Sequence, residues 1–541
     1  MCMITRLGVE NKNINSESTY ALKRNNLVKN NPNFKGGGPW GALLWGIQKC
    51  EENPMINVAV IDMFSAILPR TFVESLTNWF AGFEALRRES SGLIVNCLIP
   101  GSIAWLAALG LNKFIMPKNT NMASCWADHA LIQRASEIYT KSNADDKVKD
   151  TLKEILAKTE GVHGKEKIVF GDVLKKDLDI YAEKLKELTV SDKKNLGKEV
   201  EKIAKEIAEK THVYENVKLK GGKDVSATTV KTLLEDSVKY FKEFQKAGKD
   251  VSIQEFAKSS KKLVSGKSIL GLAVILPLAA SMQYINRWIT KKMSGVDGAP
   301  IYDDFGKEQN EEVRKKSKEG LLKQKIISIS SMIGVALLSM MKKPTWNMLE
   351  FKGWFPTMDQ ARVISTTTFA SRMAVADDKN ELAEATIRDI ATFGGLYFLG
   401  DYAGKAAATA IEKKTGVQLL NDTKPIEKDA NIFKKVWHWI KDVNIKSSEE
   451  VVSKTKDALN GVKPTKEQEI QIAKELQRAK NYRRACQVAN IGVSLLLLGL
   501  IVPIWTRHNT KKKHAEAIKQ VQLGIQNNSN LEEKELSIQK H

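Results

Sequence analysis

The sequence predicts an all-α, multi-pass helical membrane protein with a soluble helical domain inserted between its first two spans. Three observations predict it: apolar runs near membrane-crossing length, tryptophans and bases at their ends, and Lys/Glu-rich stretches of helical periodicity between them. Over the 541 residues the composition is 43% hydrophobic and 27% charged, an ordinary average that conceals this segregation.

Residues 1–35 are rich in Asn and Lys and poor in aromatics, which predicts a disordered polar N-terminus. No apolar stretch of signal-peptide length lies there, so insertion is expected to use internal segments. Region 36–118 is read as an N-terminal membrane region with its span near 91–111, SGLIVNCLIPGSIAWLAALGL. Asn96 and Pro100 lie inside that run, and in lipid a neighbouring helix must satisfy the amide and the carbonyl freed by proline. Just upstream, NPMINVAVIDMFSAILP (53–69) reads as a helix packed on this region or lying at the membrane surface. A proton- or ion-handling Asp62 is the sharper alternative.

Region 119–265 is read as a polar helical bundle. Leu174, Leu178, Tyr181, Leu185 and Leu188 recur at helical spacing, as do Leu196, Val200, Ile203 and Ile207, and then Val230, Leu233, Leu234, Val238 and Phe241. Ser191, Asp192 and Ser226 are the expected N-caps, with Gly221 and Gly222 marking an end. Region 266–345 reads as a helical hairpin of two spans, 268–285 and 326–341, joined by a basic loop.

Region 346–484 is mixed. It contains a possible span, 392–411, in which Asp401 and Lys405 are placed to pair one turn apart and Gly400, Gly404 and Ala408 form a small-residue row. It also contains a predicted interfacial helix, 431–443, with Trp437 on the apolar face and Trp439 on its flank. The strongest run, 485–505, is the C-terminal span, followed by a basic, polar tail over 506–541. Trp288, Trp346 and Trp505 each follow or close an apolar run beside bases, the arrangement expected at a lipid–water boundary.

The net charge is +21 with a pI near 9.4, and its location matters more than its size. Residues 121–267 hold 30 bases and 25 acids, so most of the excess flanks the apolar runs. That distribution predicts a bilayer with anionic headgroups as partner and argues against nucleic acid. The 286–325 loop carries ten bases and is expected to be cytoplasmic. Bases on both sides of the last span conflict with that orientation.

No motif carries chemistry by itself. GGGPWG (36–41) lacks the strand and helix of a dinucleotide site, and SGKS (265–268) lacks the first glycine and the strand of a phosphate loop. Cys125 and His129 stand one turn apart, but two ligands do not make a metal site. The five cysteines show no C-x-x-C pair and are read as reduced. No cofactor, metal or catalytic residue is expected. The sequence therefore points first to an interaction or scaffold protein of a bacterial-type inner membrane, with a protein partner on the 119–265 block. The second reading is a transporter or channel using Asp62, Asn96, Asp401 and Lys405, and the third a membrane-embedded enzyme.

Overall fold

The computed structural model of the chain describes residues 54–539 except 164–165, 192–194, 215, 297, 299, 303–317, 341–348, 396–401, 422–430, 432–433, 436–437, 440–442, 449 and 453–464. The described residues are mostly helical. α1 runs Pro54–Asp62, passes through a π-helical turn at Met63–Ile67 and continues over Leu68–Ser75. α2 (Trp79–Leu93) is capped by the Asn78 side chain, which accepts from the Ala81 N–H, and ends in a π turn at Ile94–Leu98. α3 (Pro100–Ile115) follows at once, with proline at its first position. The bend between the pair is 48°, so the 91–111 run is two helix pieces rather than one straight rod. Proline starts the second piece because its missing N–H breaks the ladder just before it.

The polar block contains α4 (His129–Lys141), α5 (Lys147–Ala157), the short α6 (Phe170–Leu174), α7 (Asp177–Val190), α8 (Leu196–Thr211) and α9 (Val230–Lys246). Most of the apolar positions that the periodicity singled out are buried here. The block is not purely helical. β1 (Glu160–His163), β2 (Glu166–Val169), β3 (Asn216–Gly221) and β4 (Asp224–Thr229) form an antiparallel sheet in the order β2-β1-β3-β4. Gly221 and Gly222 thus turn a hairpin, with Gly222 at φ +62°, instead of ending a helix. Ser226 lies within β4, and Thr229 is the residue that caps α9. Ser191 follows the C-terminus of α7, and Asp192 lies outside the described residues.

α10 (Ile253–Ser294) opens with a capping box made by Ser252 and Glu255 and runs 42 residues, about 63 Å at the α-helical rise. Its first third packs Ile253, Phe256, Leu263 and Val264 into the core of the polar block. The rest leaves that block and packs Leu272, Ile275 and Ala279 against α3 and Phe351. The helix therefore begins well before the 266 boundary suggested by hydropathy. α11 (Leu321–Ser339), α12 (Met358–Val375) and α13 (Lys379–Gly394) complete the central bundle, and α14 (Tyr402–Thr415) packs on the last long helix, α15 (466–539). α15 runs from Lys466 to Ser494, through a π-helical stretch at Leu495–Ile501, and on over Val502–Gln539.

Among the described residues, four helices are long and apolar enough to cross a membrane: Met55–Ser75, Ile253–Ser294, Leu321–Ser339 and Lys466–Gly524. The bent pair Trp79–Leu98 and Pro100–Ile115 makes a fifth when taken together. Met55–Ser75 is thus an addition to the runs that hydropathy had ranked as spans. The 392–411 stretch is shared between the end of α13 and the start of α14, with 396–401 outside the described residues. Within it, Gly404 and Ala408 do face α15, where Ala408 is fully buried beside Cys486.

Candidate functional site

The bundle has two distinct ends. The polar block sits where α3 ends and α10 begins. At the opposite end, α1 finishes, α2 starts, and α10 and α12 finish. That second end gathers Arg70 and Glu74 from α1, Glu84, Arg88 and Glu89 from α2, Arg287 from α10, Arg372 from α12, Glu384, Arg388 and Asp389 from α13, and Arg507 from α15. All of these are buried in the protein except Arg287, whose side chain is 18% exposed.

Sequence spacing starts the cluster. Glu84 and Arg88, and Glu384 and Arg388, are i,i+4 pairs on their own helices, with contacts of 4.0 and 3.4 Å. Tertiary packing then links the helices. Arg70 lies 3.5 Å from Glu89, and Arg372 bridges Glu89 at 3.2 Å and Asp389 at 2.5 Å. Arg388 reaches Glu74 at 3.5 Å and Asp389 at 3.8 Å. Arg287 contacts Glu84 at 3.2 Å and pairs with Glu381, while Arg507 pairs with Glu74 and lies 3.7 Å from Glu384. Each of the five buried arginines among the described residues thus meets at least one carboxylate, the condition under which charge is tolerated away from water.

The segment around 298–302 straps this end. Pro300 C=O accepts from the Asn78 amide at 2.9 Å, Gly298 C=O from Arg287 at 3.3 Å and Ile301 C=O from Arg507 at 3.2 Å. The Tyr302 hydroxyl donates to Asp378 at 2.7 Å, and its ring stacks on His514 with centroids 3.8 Å apart. Burial and the neighbouring Asp378 carboxylate hold that phenol protonated, well above the ordinary tyrosine range.

Two cavities open on the network, each with about 20 Å³ of free space, room for a single water. One lies among Glu84, Arg88, Arg287, Glu384 and Arg388. The other is lined by Asp62, Glu89, Asn96, Thr368, Arg372 and Thr392, so two of the four residues singled out for intramembrane chemistry share it. There the Thr368 hydroxyl donates to Asn96 Oδ1 at 2.8 Å, which supplies the partner that the buried amide required. Lys405 is elsewhere: it is buried on α14 with its ammonium 5.5 Å from the Tyr402 ring centre. Asp401 lies outside the described residues.

Of the tryptophans expected at an interface, Trp288 and Trp505 are more than half exposed, and Lys292 Nζ sits 5.2 Å from the Trp288 ring centre. Trp439 is half-buried with its ring 5.8 Å from that of Tyr402. Trp346, Trp437 and most of 431–443 lie outside the described residues.

Cys125 and His129 do not form a pair. The Cys125 thiol turns to the Asp236 carbonyl at 3.7 Å, and burial pushes it up to about 12, so it is not a thiolate. No group of three or more metal-ligating side chains stands together among the described residues. The charge network itself escaped sequence reasoning, because isolated Arg and Glu in helices of mixed polarity look like solvated surface. The i,i+4 Glu–Arg pairs beside apolar residues were its one visible trace. Comparison with protein-family models, curated proteins and solved structures finds no match.

Proposed function

We propose that the chain is a multi-pass membrane scaffold that holds its polar block at one membrane face for a protein partner. The observation that carries this reading is the charge-balanced network and its water-sized cavities. Six arginines and their carboxylates tie five helices and the end of α10 together, and each of the two cavities described on them has room for about one water. Such an arrangement favours rigidity over passage. On the polar block, an open groove of about 590 Å³ bordered by Tyr139, Lys147, Phe244 and Val251 is the place proposed for a partner.

The bundle geometry also bears on orientation. Arg507 contacts Ile301 and His514 contacts Tyr302, so the 506–514 bases and the described start of the basic 286–325 loop sit at one end. The proposed topology makes that end cytoplasmic and faces anionic headgroups with it, while the polar block lies on the other side. α1 then enters from the polar-block side. The bases at 480–484, which conflicted with this orientation in the sequence, lie on the half of α15 that precedes its apolar stretch.

A second reading, a proton or ion carrier, is favoured by the meeting of Asp62 and Asn96 at one cavity with Glu89 and Arg372. Two experiments separate the readings. Carbonate-washed membranes should retain the protein until detergent is added, whereas carbonate release would remove both readings. Proteoliposomes carrying the purified protein should then show no proton or sodium flux above empty vesicles. A flux abolished by Asp62→Asn would replace the scaffold with the carrier.

A further inference from the structure

Outside the network, three residues far apart in sequence meet where the polar block joins α10. Ser265 Oγ lies 3.2 Å from His129 Nε2, across 136 residues of chain. His129 Nδ1 lies 2.5 Å from Glu350 Oε1, and Glu350 Oε2 accepts from the His129 backbone N–H at 3.3 Å. Glu350 is fully buried, the His129 side chain is 18% exposed, and Ser265 is half-buried. We propose that Ser265, His129 and Glu350 form a nucleophile–base–acid triad that hydrolyses carboxylic esters with an apolar acyl chain. The inference goes beyond the scaffold reading and does not depend on it.

The direction of the Ser265 hydroxyl is the first support. Ser268 on the same helix bonds its own i−4 carbonyl at 2.9 Å, as Ser65 and Ser237 do on theirs. Ser265 instead points at an imidazole, as an activated nucleophile must. The buried acid is the second. Its two oxygens lie against the ring nitrogen and the backbone N–H of one histidine, beside the serine. The Nδ1–H is turned off the line to Oε1. Catalytic hydrogen bonds are often poorly aligned without substrate and tighten when it binds.

The surroundings supply the remaining parts. One turn before Ser265 stands Lys261, whose ammonium pairs with Gln133, one turn after His129 on the facing helix. Gly266 beside the nucleophile lies against α3, where an added Cβ would come within 2.7 Å of Leu111 Cδ1 and 3.9 Å of Ile115 Cδ1. Those half-exposed side chains, and the apolar run of α10 that begins after Ser268, are the apolar surface beside the serine on which an acyl chain would lie. In the reaction Ser265 Oγ adds to the ester carbonyl carbon as His129 Nε2 takes its proton. The bond to the alcohol oxygen then breaks, and that oxygen leaves with the proton. Water adds to the acyl-serine by the same transfer, releasing the carboxylic acid and restoring the Ser265 hydroxyl.

The test uses the full chain in detergent micelles, an alkyl fluorophosphonate and p-nitrophenyl esters of increasing chain length. The expected result is a covalent adduct mapped to Ser265 and absent from Ser265→Ala, a substitution that suits a helix interior. Ester turnover should fall about 100-fold or more in His129→Ala. Glu350→Gln should lower kcat with little change in KM, and Glu350→Asp should restore part of it. A folded, monodisperse protein that takes no label at Ser265, or equal turnover by Ser265→Ala, overturns the proposal and leaves the three residues as a hydrogen-bonded tie between the polar block and α10.

Discussion

At the residue scale, the buried carboxylates differ in what balances them. Asp236 in the polar block is 5% exposed and accepts from the Trp126 N–H at 2.9 Å, with the ammonium groups of Lys239 and Lys267 as its nearby cations. Burial pushes its carboxyl up to about 7, against the pull of that N–H and of Lys239 and Lys267. The folded chain therefore holds the Asp236 proton more tightly than the unfolded chain does. The stability this contributes is complete below the ordinary carboxylate value of 3.8 and is lost as pH rises through about 7. Asp236→Asn keeps the acceptor and removes the ionisation, so its melting temperature should gain on the parent's between pH 5 and pH 8. A gap that stays constant over that range contradicts the assignment. Arg372 is the opposite case, a cation held by Glu89 and Asp389. Arg372→Met leaves two carboxylates facing each other and should destabilise the detergent-solubilised protein by roughly 3–5 kcal/mol in thermal unfolding. Adding Asp389→Asn should recover part of the loss, and strict additivity would show that the pair is not coupled.

At the element scale, π-helical turns replace regular helix in α1, α2 and α15. Those of α1 and α15 pack on each other: a Cβ on Gly499 would lie 2.4 Å from the Ser65 carbonyl oxygen and 2.9 Å from Pro69. Gly499 allows this close backbone approach, so Gly499→Val should separate the two helices and lower stability by about 1–3 kcal/mol, measured by thermal unfolding in detergent. A neutral result would mean that the helices do not meet there. Such local features explain what the sequence could and could not convey. The apolar runs and the periodic leucines of the polar block were legible because burial imposes a repeat that many residues share. The four strands were not, since they are only four to six residues long, and β3 hides its alternation in NVKLKG. Met55–Ser75 was undervalued because Asp62 and Arg70 interrupt its hydropathy. The partners of Arg70, Glu89 and Thr392, lie on other helices and can be found only in three dimensions.

At the scale of the whole molecule, the bundle places a mixed-polarity block at one end and a neutralised ion cluster, fringed with bases, at the other. Asp62 and Asn96 were recognisable one at a time, as polar groups in apolar surroundings. Their convergence, and the distance of Lys405 from them, follow from how α1, α2 and α12 cross. The long α10 connects the two ends, with its first third in the polar core and Arg287 in the network. If the proposed topology is right, positions near its two ends lie across a bilayer from one another. The most direct measurement is labelling of single cysteines with a membrane-impermeant maleimide, in a background lacking the native thiols. Lys202→Cys, exposed on α8, reports the polar block, and Met293→Cys, exposed at the end of α10, reports the strap end. The account predicts that intact cells label Lys202→Cys alone and that Met293→Cys reacts only after permeabilisation. Labelling of both from the same side would contradict it.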